Sequence, residues 1–319
     1  MVSLVTGATG LVGFHIVHAL RRAGHRPRLL ARDAAKARRL VGADFDIVTG
    51  DVTDAASVAA ACDGIEVVFH AAGHPEQWLA DPDQFERVNV GGTRHVVQAC
   101  RAAGVRRLVY TSTIDVFEAR AGERFNEDVI ATAPKGTPYE RSKQLADRLV
   151  AQALADGLDA VFIHPAAVYG PGPAQSPGLN QFFRELRAGK LPLLLPGGMP
   201  VVFAPDLGEA HVRAAQRAGA GERFIVSERF FTLVELARAA AAASGKQRVP
   251  PVLPLALARW VSAATEALAR LTNKPPLVPA GQLHFLQWGA IPDASRARQR
   301  LGLELTPLEQ GLAALVAAE

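Results

Sequence analysis

The residues with the clearest chemical potential are a tyrosine and a lysine in the stretch Tyr139-Glu-Arg-Ser-Lys143. They stand four positions apart, and residues at that spacing lie on one face of a helix. An ammonium group beside a phenol favours phenolate and lowers the phenol's pKa, so Tyr139 becomes a usable proton donor or acceptor near neutral pH. Thr113 adds a hydroxyl about one strand's length upstream. Such groups suit the interconversion of carbonyls and alcohols.

An alternation of short apolar runs and helical patterns must position these groups. The expected strands are Ser3 to Thr6, Pro27 to Ala31, Asp46 to Thr49, Val67 to His70, Arg107 to Thr111 and Ala160 to His164. The expected helices are Leu11 to Ala23, Ala34 to Leu40, Asp54 to Ala61, Asp83 to Ala103 and Pro138 to Ala155. This order predicts an α/β fold, with right-handed βαβ units that form a doubly wound parallel sheet covered on both faces.

The texture of the sequence changes after Gly170, where proline and glycine become dense. We predict a dinucleotide-binding domain over residues 1–170, to which a strand at Arg223 to Val226 returns. Residues 171–319 then form a smaller, loop-rich, mainly substrate-binding lobe.

A glycine-rich turn, TGATGLVG from Thr6 to Gly13, stands between the first strand and the first helix. Gly7, Gly10 and Gly13 allow a tight turn, a close approach of backbone to ligand, and close helix packing. Backbone amides at the start of such a helix attract a pyrophosphate group. The expected cofactor-binding residues of this turn are the three glycines with Thr9, Leu11 and Val12.

The end of the second strand selects between cofactors, because an acidic residue there binds a ribose hydroxyl whereas an arginine pairs with the 2′-phosphate of NADP. Arg32 holds this position and Arg39 lies behind it, which favours NADPH. In the alternative, Asp33 turns to the ribose and NAD is the cofactor. We expect Asp33 to be the N-cap of the next helix.

Small or acidic residues follow the third and fourth strands. Asp51, beside Val52, either accepts a hydrogen bond from the adenine amino group or takes part in a helix start. Ala71, Ala72 and Gly73 are small enough for a dinucleotide to lie flat over their backbone.

Composition excludes several classes of function. The 319 residues are 49% hydrophobic and 21% charged, as in a soluble globular protein with a sizeable core. The net charge of +4 comes from scattered arginines without interleaved aromatics, so no nucleic-acid partner is expected. Cys62 and Cys100 lack metal-ligand spacing, so we expect no metal and a reduced, cytoplasmic protein.

No targeting segment is expected before the first strand, and no membrane span is expected anywhere. The most apolar late segment, Val249 to Leu271, is interrupted by prolines and charges. Packing of its apolar face onto the core is the default expectation, with a membrane-surface role as the alternative. The residues of that face are Leu257, Trp260, Val261, Ala264 and Leu268.

Together these motifs carry a family resemblance. In chain order they are TGATGLVG, Gly50-Asp51-Val52, HAAG at His70 to Gly73, NVGGT at Asn89 to Thr93, YTST at Tyr110 to Thr113, Tyr139 with Lys143, and PAAVYGPG at Pro165 to Gly172. Over nearly its whole length the chain resembles the extended short-chain dehydrogenase/reductase family, which implies a Rossmann-type fold.

The resemblance implies roles for individual residues. Thr113 would hydrogen-bond the substrate oxygen, Tyr139 would pass a proton to or from it, and Lys143 would bind the nicotinamide ribose and hold down the phenol's pKa. Pro165 and the backbone near Val168 would lie beside the nicotinamide carboxamide. Homodimers would form through the helices at 83–103 and 138–155. Two positions depart from the family pattern: His164 stands where an arginine is frequent, and Phe117-Glu118 replaces tyrosine-glycine.

The carboxy-terminal pattern resembles the branch with 3β-hydroxysteroid dehydrogenases, dihydroflavonol reductases and bacterial β-keto acid reductases. It runs from Lys274-Pro-Pro-Leu277 through Pro292-Asp293 to Thr306-Pro-Leu-Glu309. This resemblance implies NADPH-dependent reduction of a bulky, largely apolar ketone to a secondary alcohol. Candidate substrate contacts are His74, Trp78, Phe203 and Trp288. The alternatives are an NAD-dependent nucleotide-sugar epimerase or dehydratase, and a non-catalytic NAD(P)-binding module.

Overall fold

A computed structural model describes residues 1–173, 176–245, 248–272 and 274–318. Its strands are β1 Ser3–Thr6, β2 Arg28–Ala31, β3 Ile47–Thr49, β4 Val67–His70, β5 Arg107–Thr111, β6 Arg124–Phe125, β7 Ala160–Pro165, β8 Ala167–Tyr169, β9 Gly198–Phe203, β10 Arg223–Val226, β11 Phe230–Thr232 and β12 Ile291–Pro292. Its α-helices are α1 Leu11–Arg22, α2 Ala34–Val41, α3 Ala55–Cys62, α4 Gly92–Ala102, α5 Pro138–Ala155, α6 Leu179–Arg187, α7 Ala204–Arg217, α8 Leu233–Ala243, α9 Leu255–Thr272, α10 Ala280–Trp288, α11 Ser295–Leu301 and α12 Leu308–Ala317.

The main sheet is parallel throughout and doubly wound. Within the described part of the chain it has seven strands in the order β10-β7-β5-β4-β1-β2-β3. Successive strands run outward from β1 in one direction and from β4 in the other, so the strand order reverses between them. Ligands of open α/β sheets bind outside the carboxyl ends of the strands at such a switch point.

Helices cover both faces of this sheet. On one face α1 packs closely against α7, where a Cβ on Gly208 would come within 2.4 Å of the carbonyl oxygen of His15. On the other face α3, α4 and α5 enclose a second apolar cluster. The central strands β1, β4 and β5 are buried nearly throughout, which explains their continuous runs of apolar residues.

The strands and helices expected in the first half are confirmed, with ends that differ by at most one or two residues. The helix expected from Asp83 to Ala103 starts instead as a π-helix at Phe85–Gly91, which continues into α4. A short 3₁₀ turn, Ile114–Val116, follows β5.

The second half is more regular than its proline and glycine content suggests. Strands β8, β9 and β11 form a separate three-stranded sheet, and β12 pairs with β6. The strand expected at Arg223 to Val226 is confirmed as β10, whereas β8, β9, β11 and β12 were not predicted. These strands escaped notice because they are short, and because Pro200 interrupts the residue pattern of β9.

Arg107 ties the main sheet to α7. Its guanidinium pairs with Asp159 at 2.7 Å and donates to the carbonyls of Ala215 and Ala218 at 3.1 and 2.8 Å. Because these carbonyls lie at the end of α7, a cation there also meets the negative end of the helix dipole.

Candidate active site

The glycine turn has the shape needed to bring a ligand against backbone. Gly7 has φ of +75°, and a Cβ on it would lie 2.7 Å from the backbone of Ala71. A Cβ on Gly13 would lie 2.2 Å from the carbonyl oxygen of Gly7, so α1 can approach the turn only without a side chain there. Gly10 is different, because its Cβ would meet only the Gly7 carbonyl, at 3.4 Å, and otherwise faces open space.

The first turn of α1 is suited to an anion. Its N-cap, Gly10, provides no side-chain hydrogen bond, and the first turn carries no acidic residue. The free N–H groups and the positive end of the helix dipole therefore face outward. Thr9, Leu11 and Val12 are partly buried around this turn. The residues present thus fit the pyrophosphate of a dinucleotide.

Arg32 and Asp33 have different environments. Asp33 is the N-cap that the sequence predicts, and Arg32 is exposed. Asp33 caps α2, because its carboxylate accepts the backbone N–H of Lys36 at 2.8 Å. The side chain of Arg32 is 79% exposed, with its Nε 3.8 Å from the Asp51 carboxylate. Arg39 is exposed on α2. The arginines are thus accessible to a phosphate, whereas Asp33 is already engaged.

Asp51 and Val52 follow β3, at the carboxyl edge of the main sheet. The Asp51 carboxylate accepts hydrogen bonds from the backbone and hydroxyl of Thr53, both at 2.9 Å. Asp54, not Asp51, caps α3. Val52 is buried against Gly92, where a Cβ would come within 2.9 Å of the valine side chain.

A buried histidine fixes the backbone under Ala71, Ala72 and Gly73. Thr93 donates its hydroxyl proton to the carbonyl of Asn89 at 2.6 Å, so Nε2–H of His70 must donate to Thr93, at 3.0 Å. Nδ1 of His70 then accepts from the Thr6 hydroxyl at 2.7 Å. Burial lowers the pKa of His70 to about 3, so the imidazole stays neutral. This series of hydrogen bonds holds the ends of β1 and β4 together.

Tyr139 and Lys143 lie in the first turns of α5 and are both buried. The helix starts at a capping box, in which Glu140 N–H donates to the Thr137 hydroxyl at 3.1 Å and Thr137 N–H donates to the Glu140 carboxylate at 2.9 Å. Pro138 occupies the first turn, where its missing N–H costs nothing. The helix start that positions the pair is therefore encoded locally.

The electrostatics of the pair differ from the expectation. Lys143 Nζ donates to the Thr111 carbonyl at 2.8 Å, and burial lowers its pKa to about 8. Burial also raises the pKa of Tyr139, with the negative charge of Asp115 adding to the rise and a hydrogen bond with Thr113 opposing it. The lowered phenol pKa that the sequence predicts is therefore not found, because burial disfavours the charged phenolate.

Thr113 engages an acidic residue that sequence reasoning missed. Its hydroxyl donates to Oδ2 of Asp115 at 2.8 Å, while the backbone N–H of Asp115 donates back to the hydroxyl at 3.3 Å. Within the described residues Oδ1 of Asp115 is buried without a hydrogen-bond partner. Burial, with the charge of Glu140, raises the pKa of Asp115 to about 7. Its signal was an aspartate two positions after the candidate hydroxyl, in an otherwise apolar stretch.

A second buried hydrogen-bond network holds the backbone of Thr113. Arg223, from β10, donates to Asp147 at 2.8 Å and to Nε2 of His164 at 3.2 Å. Nδ1–H of His164 therefore donates to the Thr113 carbonyl, at 3.1 Å. The Ser112 hydroxyl completes the network by donating to Asp147 at 2.6 Å. Burial lowers the pKa of His164 to about 4, so this departure from the family pattern acts as a neutral bridge.

Asn89 joins the loop after β4 to the start of α5. Its side-chain oxygen accepts from the backbone N–H of His74 at 2.8 Å, and its side-chain nitrogen donates to the Ser142 hydroxyl at 2.9 Å. Ser142 in turn donates to the Tyr139 carbonyl at 2.7 Å. The sequence predicted no role for Asn89 beyond its place in a motif, since this bridge spans residues distant along the chain.

The candidate substrate residues occupy different environments. His74 and Trp78 are partly buried on the loop after β4, where Nδ1 of His74 lies 3.2 Å from Glu76. Trp288, in α10, donates its Nε1–H to the Ala119 carbonyl at 2.8 Å. Phe203 is buried in the core of the three-stranded sheet, with its ring 5.6 Å from that of Tyr169. Phe203 therefore packs in this core, and its contact with a substrate stays a prediction.

The last two candidate cofactor contacts lie at the carboxyl end of β7 and in the short strand that follows it. Pro165 is the final residue of β7, and Val168 lies in β8, paired with Val202. Both are therefore at the carboxyl edge of the main sheet, on the side to which Thr113 follows β5.

Comparison with known proteins identifies the class. The model of the NAD dependent epimerase/dehydratase family matches residues 3–227, and the chain belongs to this family, part of the extended short-chain dehydrogenases/reductases. It is an NAD(P)-dependent oxidoreductase. Among the described residues, no group of three histidines, cysteines or carboxylates is placed to hold a metal, and no helix is both long and apolar enough to cross a membrane.

Individual relatives include a sterol demethylase protein, a reductase and an epimerase. The chain is 28% identical to sterol demethylase protein B of Methylococcus capsulatus, covering 99% of this chain and 98% of that protein. It is 30% identical to 2-alkyl-3-oxoalkanoate reductase of Stenotrophomonas maltophilia, covering 92% of each. The solved structure of Thermus thermophilus UDP-glucose 4-epimerase in complex with NAD is similar with a TM-score of 0.79 and 26% identity, covering 100% of this chain and 98% of the other.

Proposed function

We propose that this chain reduces the carbonyl of a bulky, largely apolar ketone or β-keto compound to a secondary alcohol, with NADPH as the preferred cofactor. The observation that carries the proposal is the buried phenol of Tyr139 beside the Thr113 hydroxyl. Burial keeps this phenol protonated at neutral pH, which is the form that a proton donor needs. A proton donor at this position suits the reductive direction.

The residues around the crevice would hold a nicotinamide dinucleotide, which supplies the hydride when bound. The Gly10 turn would face its pyrophosphate, and Arg32 with Arg39 would face the 2′-phosphate. The preference for NADP rests on the capping role of Asp33, which occupies the carboxylate that a ribose would need. The other proposed contacts are Asp51, Val52, Ala71, Ala72, Gly73, Pro165 and Val168.

The chain's own residues would divide the remaining work. Thr113 would orient the substrate oxygen, and the Tyr139 hydroxyl would transfer its proton to that oxygen. Lys143, held at the Thr111 carbonyl, would stabilise the phenolate that results, as opposite charges a short distance apart favour each other. His164 and Asp115 would hold Thr113 in place from its backbone and its hydroxyl.

The proposed substrate class rests on two relatives and on the apolar second half. The names of those relatives include a sterol and an alkyl-oxoalkanoate, both with large apolar skeletons. His74, Trp78 and Trp288 are the proposed substrate contacts. We also propose that residues 171–319 mainly form the substrate lobe, and that the exposed face of α5, with Leu145, contributes to a homodimer.

The test is a panel of 3-keto sterols and 2-alkyl-3-oxoalkanoates incubated with NADPH or NADH, with cofactor oxidation followed optically. Wild-type protein should oxidise NADPH in the presence of at least one of these ketones. Tyr139→Phe should lower turnover about 10²- to 10⁴-fold while keeping NADPH affinity within about threefold. Release of bound NAD on denaturation, with redox-neutral conversion of UDP-glucose, would instead establish an epimerase.

A further inference from the structure

We propose that helix α9 docks the protein onto the surface of an anionic lipid bilayer. The outward face of α9 is apolar to an unusual degree: Trp260 is 67% exposed, Leu268 58% and Leu271 84%. Large side chains at such exposure, gathered on one helix, mark an interaction surface.

The exposed residues form one continuous stripe. Leu257, Trp260, Ala264, Leu268 and Leu271 recur at spacings of three and four, which places them along one side of the helix. The opposite side carries Ala258, Ser262 and Ala269, which are buried against the protein. The inward face is thus already occupied, and the apolar stripe is left for another partner.

Charge selects the partner. The charged residues exposed on α9 are Arg259 and Arg270, and Lys274 is exposed just beyond its end. The carboxylate of the helix, Glu266, is partly buried and accepts the backbone N–H of Ala280 at 2.8 Å. A second copy of this face would bring arginines together, whereas an anionic bilayer complements them.

The tryptophan and the following segment fit the same surface. Trp260 has an apolar body and a polar N–H, a combination favoured at the boundary between lipid headgroups and acyl chains. Leu277, which is 78% exposed, extends the apolar surface beyond the end of α9. The docking surface therefore comprises α9 from Leu257 to Leu271, together with Lys274 and Leu277.

Helix α10, which packs against α9, connects this surface with the candidate active site. Helix α10 follows α9, and its residue His284 lies 3.5 Å from Glu140, next to Tyr139. A Cβ on Gly281 would lie 2.9 Å from the carbonyl oxygen of Gln77, on the loop after β4. A bilayer at α9 would therefore be separated from the candidate active site by α10. The passage of an apolar ketone from lipid to crevice rests on the proposed function, but the docking itself does not.

Co-sedimentation with vesicles tests the docking. Wild-type protein should bind vesicles of mixed phosphatidylglycerol and phosphatidylcholine at least about tenfold more tightly than vesicles of phosphatidylcholine alone. The pair Leu268→Glu and Leu271→Glu should lose about 90% of the bound fraction, because charges replace the inserted side chains. Val129→Glu, an exposed apolar residue outside α9, is the matched control and should bind as wild type does.

Fluorescence locates the contact independently. Brominated acyl chains should quench the tryptophan emission of wild-type protein, whereas Trp260→Phe should still sediment with vesicles but lose most of the quenching. Absence of binding to the phosphatidylglycerol vesicles would overturn the proposal. So would vesicle binding that both glutamate substitutions leave unchanged, or a protein dimer in solution that they abolish. Turnover of a dispersed ketone should stay unchanged in these variants, which separates a failure of docking from a failure of the proposed reaction.

Discussion

The Thr113 hydroxyl donates a 2.8 Å hydrogen bond to the carboxylate of Asp115, and both side chains are buried beside Tyr139. An ionised Asp115 holds the hydroxyl proton, so Thr113 can only accept from a second partner. A protonated Asp115 can itself donate to Thr113, whose proton is then released for a substrate oxygen. Since burial raises the pKa of Asp115 to about 7, this exchange falls in the working range of pH.

Asp115→Asn should therefore remove a limb of the pH profile. In wild-type protein kcat/KM for ketone reduction should fall as pH rises through about 7, as Asp115 ionises and captures the Thr113 proton. The asparagine amide donates at every pH, so the variant should lack this inflection. Kinetics from pH 5.5 to 8.5 decide the question, and an inflection that persists in the variant would assign it to another group.

The same substitution should change stability in a defined direction. The folded pKa of Asp115 lies above its ordinary value of 3.8, so its contribution to stability is complete below about 4 and is lost as pH rises through about 7. The free energy of unfolding of Asp115→Asn minus that of wild type should therefore increase by roughly 1–3 kcal/mol between pH 4.5 and pH 8. Urea unfolding at both values measures the difference, and an equal gap at both would contradict the raised pKa.

Two glycines of the cofactor turn should respond differently to alanine. Gly13→Ala places a Cβ 2.2 Å from the Gly7 carbonyl, so α1 must move and the protein should lose roughly 1–3 kcal/mol of stability. Gly10→Ala meets no atom closer than 3.4 Å and should fold normally. Its methyl group would point into the space proposed for pyrophosphate, so affinity for NADPH should fall at least about tenfold. Thermal unfolding and fluorescence titration separate the two effects; normal NADPH binding by Gly10→Ala would refute the proposed position of the pyrophosphate.

Cofactor preference should depend on Arg32 and its neighbour. Arg32→Ala should weaken NADPH by about 10- to 100-fold and NADH by less than threefold, because only NADPH offers a 2′-phosphate. Asp51→Asn removes the carboxylate 3.8 Å from Arg32 and should shift the ratio toward NADPH. Arg26→Ala, an exposed arginine before β2, is the matched control. Equal losses of both cofactors in Arg32→Ala would show that this residue does not select between them.

Acid should destabilise the fold through its buried imidazoles. His211 accepts from the Thr111 hydroxyl at 2.8 Å and donates to the Leu207 carbonyl at 2.7 Å, and burial lowers its pKa to about 4. Its contribution is complete above pH 6.5 and is lost as pH falls toward 4, by about 1.4 kcal/mol per unit. His211→Gln should therefore be less stable than wild type at pH 7.5. The difference between their free energies of unfolding should shrink by about 2 kcal/mol by pH 5.

Urea unfolding of both proteins at the two pH values measures the gap. His25→Gln, a partly buried histidine in the turn after α1, is the matched control. A constant gap for His211→Gln would mean that this imidazole is already charged in the folded protein.

Local signals in the sequence predicted the frame of the site. The capping box at Thr137 and Glu140 marks the start of α5, and spacing alone places Tyr139 and Lys143 on one side of it. The sequence could not reveal that the ammonium bonds the Thr111 carbonyl, because that contact joins residues 32 positions apart. Nor could it indicate how far burial raises the phenol pKa.

Tertiary contacts likewise decided the substrate candidates. Phe203 was predicted from its residue type alone. The pairing of β9 with β8 places its ring beside that of Tyr169. The hydrogen bond between His164 and Arg223 depends on the pairing of β10 with β7, which the sequence does not reveal. Short strands with weak patterns are the elements that single-sequence reasoning misses most readily.

The guanidinium of Arg107 reaches carbonyls of Ala215 and Ala218, and Arg223 lies beside Asp147. These hydrogen bonds join α7 and β10 to the first half of the chain. In a gene fragment encoding only residues 1–170, Asp147 would lose the Arg223 guanidinium, whereas Arg107 would keep Asp159 but lose its carbonyl acceptors on α7. Grafting a foreign pocket onto this enzyme would thus need crossover points after Val226, leaving α7 and β10 with their native sheet.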